Sequence, residues 1–85
     1  MWDRMNQTQK EILAKLTDEK CFNDRHILEE NLQKNFPRHK RGTVKDDLKE
    51  LVKQRYIVKK PTKNGMAYYL NMSKIGEIRR ILENL

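Results

Sequence analysis

A chain of 85 residues has room for one domain and leaves no length for a separate cofactor-binding unit. Its single cysteine, Cys21, excludes an intramolecular disulfide and fits a reducing setting, no run approaches the roughly 20 apolar residues of a membrane span, and Met1-Trp2-Asp3-Arg4 lacks the apolar stretch of a secretory leader, so a soluble, cytoplasmic protein is expected. The net charge of +7 is concentrated: residues 38–63 hold ten basic and three acidic side chains, and the rest of the chain carries nine of each. An evenly solvated surface would spread its lysines, whereas localised positive charge is the footprint of a polyanion binder.

The first predicted element is a helix starting near Arg4 or Gln9 and ending at Leu16. Thr8 and Glu11 have the spacing of a capping box, and the earlier start, capped by Asp3, would add Met5 to the stripe of Ile12, Leu13 and Leu16. After a turn at residues 17–20, Asn23 is expected to cap a second helix of about ten residues. Phe22 and Ile27 are spaced as its hydrophobic staple, with Ile27, Leu28 and Leu32 facing inward and Glu29, Glu30 and Lys34 facing water. That helix must stop by Phe36, because Pro37 disfavours helical geometry in the residue before it.

Residues 37–42 form a basic loop, and Thr43, with Asp46 as its partner, is expected to cap a third helix over about 43–54. Its inward stripe is Val44, Leu48, Leu51 and Val52. The period then switches to two, giving a hairpin over about 56–70. Residues 56–60 are one strand, 61–65 a turn in which Asn64-Gly65 supplies positive backbone dihedrals, and 66–70 the returning strand. A final helix over about 73–84 is lined by Ile75, Ile78, Ile81, Leu82 and Leu85. A lone hairpin is marginal and must lean on helices. The expected fold class is therefore α+β and mostly helical: a three-helix core with a two-stranded hairpin and an additional C-terminal helix, a winged helix-turn-helix in residues 1–85.

The run from Arg41 to Val58 (Arg41-Gly42-Thr43-Val44-Lys45, then Leu48, Leu51-Val52 and Tyr56-Ile57-Val58) resembles the third-helix-to-wing segment of archaeal and bacterial winged-helix transcriptional regulators. Tyr68-Tyr69-Leu70-Asn71 is similar to the way their second wing strand leads into a final helix. The resemblance implies duplex DNA binding, with the third helix in the major groove and the wing on the adjacent backbone or minor groove. Arg55 stands where that family usually has glycine, so this helix is expected to end under strain or by another route. The outward face of the third helix mixes Lys45, Lys49 and Lys53 with Asp46 and Glu50, a net of one positive charge.

Arg41, Thr43, Lys45 and Lys49 are thus expected nearest the groove. Arg38, Lys40, Lys59, Lys60 and Lys63 are expected on phosphates, although lysines on the hairpin also serve as ordinary protection of an edge strand. Ile75, Ile78, Leu82 and Leu85 are spaced 3, 4 and 3, the seam of a possible homodimer; the alternative is that this helix docks on its own domain beside Met5 and Ile12. No cofactor or small-molecule ligand is implied. Cys21, His26 and His39 match no zinc spacing, and no nucleophile or phosphate-loop signature suggests an enzyme. Of Tyr56, Tyr68 and Tyr69, strand alternation leaves at most one free to stack on a base. Two rivals stay open: a protein-interaction module of transcription or replication machinery, and a structured-RNA binder.

Overall fold

The structure is a computed structural model that describes residues 5–22 and 25–83. In chain order it comprises α1 (Gln7–Asp18), β1 (Ile27–Leu28), α2 (Glu29–Gln33), α3 (Arg41–Lys53), β2 (Ile57–Thr62), β3 (Gly65–Leu70) and α4 (Ile75–Glu83). The strands form one antiparallel sheet in the order β1-β3-β2. Helices and sheet close on a single core that includes Ile12, Leu13, Leu16, Leu32, Val44, Leu48, Leu51, Leu70, Ile78 and Ile81. The architecture is α+β and mostly helical, with a sheet of three strands rather than the two expected.

α1 begins at neither expected position. Its cap is Asn6, whose side chain accepts from the Gln9 N–H at 2.8 Å while the Gln9 side chain accepts from the Asn6 N–H at 3.2 Å. Asp3, the other candidate cap, lies outside the described residues. The start is fixed from α3: Asn6 Nδ2 and Gln9 Nε2 both donate to Asp47 Oδ1, at 3.1 and 3.0 Å. Both amides of this cap have a donor left to reach across to a carboxylate, whereas in a Thr8–Glu11 box the glutamate would have none.

The expected ten-residue second helix is instead a strand followed by a short helix. Ile27 pairs with Tyr68 and Leu28 with Ala67, so these residues join β3 rather than a helical stripe. A short apolar run has no period that distinguishes helix from strand, and β-branched Ile27 suits the pleat. Phe22 and Ile27 both pack against the core, but with Ile27 in a strand the staple does not form. The proposed cap, Asn23, lies outside the described residues. α2 starts without a side-chain cap, and Glu29 and Glu30 in its first turn offset the exposed amides. It ends before Pro37, as expected.

α3 starts two residues before Thr43. A 3-10 turn over Arg38–Lys40 follows Pro37 and runs directly into the helix, so Lys40 holds the cap position without a side-chain bond. Thr43 is an exposed residue within the first turns, and Asp46 has no capping role. The helix ends through Arg55 itself, which adopts the left-handed conformation with φ 66°. The Arg55 N–H donates to Val52 O and the Tyr56 N–H to Leu51 O, both at 3.0 Å, which is the Schellman pattern. α1 ends the same way, on Lys20 (φ 55°), with Lys20 N–H to Thr17 O and Cys21 N–H to Leu16 O.

The hairpin strands are longer than expected, and the turn is only Lys63-Asn64. Among the described residues there, Gly65 alone has positive φ, at 125°. Thr62 Oγ1 accepts from the Asn64 N–H and donates to Gly65 O. Pro61 lies inside β2, which tolerates it because β2 is an edge strand. The last helix begins later than Ser73: Asn71 caps a 3-10 turn over Met72–Lys74, and α4 follows against α1.

Candidate nucleic-acid interface

The spacing of charges along α3 becomes meaningful once its neighbours are known. Val44, Asp47, Leu48 and Leu51 point into the core. Arg41, Lys45 and Lys49 follow one another at steps of four, so they share one flank of the helix. That flank borders the hairpin: Lys45, Lys49 and Val52 from α3, Lys59 from β2, Met66 and Tyr68 from β3 and Glu29 from α2 line a groove of about 220 Å³. Asp46 and Glu50, also a step of four apart, follow the other flank, where Glu50 accepts from Gln54 Nε2. The mixed face expected from the sequence is therefore divided in part: Lys45 and Lys49 border the hairpin, whereas Asp46, Glu50 and Lys53 do not line that groove. Asp47 belongs to neither flank, being 7% exposed, with Oδ2 lacking a hydrogen-bond partner among the described residues beside the bonded Oδ1.

Not all the expected site residues converge. Lys45, Lys49 and Lys59 meet in the groove, and Arg41 precedes Lys45 on the same flank. Lys60 follows Lys59 in the strand and so projects from the opposite face of the sheet, while Lys63 stands in the exposed turn. Lys40 borders a different cleft, with Glu11, Ala14, Asp18 and Phe36, on the α1 side. Arg38 and Thr43 are exposed near the start of α3. Among the described residues none of Lys45, Lys49 and Lys59 is seen in an ion pair, whereas Lys15 pairs with Glu19.

Glu29, expected to face water, and Tyr68, weighed only as a stacking or packing residue, meet in this groove. The Tyr68 hydroxyl donates to Glu29 Oε1 at 2.7 Å, and Gln33 Nε2 approaches Oε2 at 3.4 Å, so a half-buried carboxylate is held in a groove rimmed by lysines. The contact joins residues 39 positions apart and leaves no periodic trace. Burial and then the Glu29 bond push the Tyr68 phenol up from its ordinary pKa. Tyr56 is buried as well, its pKa pushed up to about 12 by burial and by Glu77, with Lys74 Nζ 5.7 Å from the ring centroid. Tyr69 is half-buried, so no open stacking platform forms.

Cys21 is buried, His26 and His39 are exposed, and among the described residues no three His, Cys, Asp or Glu side chains come together as a metal site. Burial raises the Cys21 thiol pKa above its ordinary value. Ile78, 0% exposed, lies wholly in the core of its own chain, whereas Ile75 and Leu82 are half-buried and Leu85 lies outside the described residues. Ile75 and Leu82 also pack partly against that core. Among the described residues no helix is long and apolar enough to cross a membrane. No family model, curated protein or solved structure matches the chain.

Proposed function

We propose that the chain is a winged-helix protein that binds duplex DNA, as a small transcriptional regulator does. The element order α1-β1-α2-α3-β2-β3-α4 with strand order β1-β3-β2 is consistent with that fold. The observation that carries the reading is the placement of basic residues on α3: Arg41, Lys45 and Lys49 run along the flank beside Lys59, while the acids Asp46 and Glu50 follow the other flank beside Lys53. In this reading α3 enters the major groove and the hairpin follows the adjacent backbone. The phosphodiester strand between them meets Lys45, Lys49 and Lys59. Arg38, Lys40, Lys60 and Lys63 add contacts at the periphery, which position the duplex without reading it.

A protein-docking role is less well supported, because Met72, at 45%, is the one exposed large hydrophobic among the described residues. A homodimer through α4 would have to rest on Ile75, Leu82 and Met72. Titration of the labelled chain with a random-sequence DNA duplex, followed by amide shifts, tests the reading. Shifts gathered on residues 38–66 are expected, and a duplex that shifts none of them overturns it. An A-form RNA duplex that competes better than DNA would transfer the same surface to RNA.

A further inference from the structure

The groove between α3 and the hairpin contains a group that a simple phosphate clamp would not want. Glu29 is a carboxylate held from two sides, by Tyr68 Oη at 2.7 Å and by Gln33 Nε2 at 3.4 Å, with no ion pair to a lysine among the described residues. An ionised carboxylate has only acceptor sites and repels phosphate, so whatever settles against it must bring a hydrogen-bond donor. With α3 in the major groove, the donors that a duplex presents are the amino groups of cytosine and adenine. Adenine also presents the N7 acceptor beside its amino group, which a carboxylate cannot satisfy. Cytosine presents the amino group alone.

We propose that Glu29, oriented by Tyr68, reads the amino group of a cytosine at the hairpin-side edge of the α3 site, while Lys45, Lys49 and Lys59 hold the neighbouring phosphates. The assignment rests on the duplex-binding reading and goes beyond it by naming an acceptor outside α3 as a determinant of sequence. Tyr68 is its positioning residue: its hydroxyl occupies one acceptor site of Oε1 and Gln33 Nε2 approaches Oε2, which leaves one further acceptor site on each oxygen for a donor.

Selection from a randomised duplex library, with the wild type, Glu29→Gln and Tyr68→Phe in parallel, tests the assignment. The wild type is expected to enrich a cytosine at one position, whose replacement lowers affinity roughly fivefold or more. Glu29→Gln keeps an oxygen for the Tyr68 hydroxyl but adds an amide donor, which pairs with the N7 and amino groups of adenine. It should therefore move the enriched base from cytosine to adenine and bind random duplex more tightly than the wild type. Tyr68→Phe should weaken the cytosine preference while leaving the salt dependence of binding unchanged, a readout that a loss of packing alone would not give. If the wild type binds duplex but enriches no cytosine, or if Glu29→Gln enriches the same base, the assignment is overturned and the duplex-binding reading survives. A wild type that binds no duplex removes both.

Discussion

The side-chain amide of Asn71 donates to the carbonyl oxygen of Arg55 at 2.7 Å, and its backbone N–H donates to Tyr56 O at 3.0 Å. One residue just beyond β3 thus ties down the left-handed turn through which α3 hands over to β2. The link fixes the angle between the helix and the hairpin, and with it the groove that contains Lys45, Lys49 and Lys59. The turn needs such support because a left-handed arginine costs about 1–2 kcal/mol that a glycine would not incur.

Arg55→Gly is accordingly expected to stabilise the fold by up to about 1 kcal/mol, the greater freedom of glycine in the unfolded chain offsetting part of the gain. Lys20→Gly at the end of α1 should behave alike, since it has the same conformation and the same bonds. Asn71→Ala should cost about 1–2 kcal/mol, because it also removes the cap on the Ser73 N–H. Urea unfolding midpoints check all three, and a midpoint lowered by Arg55→Gly would show that the arginine side chain matters more than its backbone.

Asp47 joins α3 to the start of α1, and its removal strands two amides. Asp47→Ala should cost about 2–3 kcal/mol, whereas Asp47→Asn, which keeps an acceptor for Asn6 and Gln9, should cost less. Chemical denaturation of the two variants decides between this and a filler role, for which both substitutions would cost the same.

Alkaline pH should unfold the chain through its tyrosines. Tyr56 is pushed up to about 12 and Tyr68 is pushed up as well. Both are neutral in either state below about pH 10, where the unfolded chain begins to ionise them and the folded chain does not. Stability is therefore complete below pH 10 and falls as pH rises toward 12. Tyr56→Phe should make thermal melting temperature less sensitive to pH across that window, and an unchanged dependence would assign alkaline unfolding to other groups.

Asp46 sits exposed on the acidic flank without a capping bond, so Asp46→Asn should change stability by less than about 0.5 kcal/mol. It should tighten binding to any duplex by a small factor, and Lys49→Ala should weaken it. A clear loss of stability in Asp46→Asn would mean that Asp46 supports the start of α3 after all.

Local rules made much of this fold legible. The stripe Val44, Leu48, Leu51 placed α3, and the switch to period two placed the hairpin, because each signal is confined to one element. What failed was decided across the chain. Ile27 and Leu28 follow β3, the cap of α1 follows Asp47, and the start of α3 follows a turn that continues from Pro37. The basic residues of the segment were visible in the sequence, but which of them border the hairpin follows only from the position of the hairpin. Glu29 looked like a solvated helix residue, since nothing near it in sequence announces Tyr68.

The central claim is that the segment from Arg38 to Lys63 neutralises duplex phosphates, and the salt dependence of affinity for a random-sequence DNA duplex tests it most directly. With about five to seven phosphate contacts, log K against log salt concentration should fall with a slope of roughly −5 to −6. Lys45→Ala, Lys49→Ala and Lys59→Ala should each reduce that slope by about one. A wild-type slope shallower than about −2, or one that these substitutions leave unchanged, would contradict the claim.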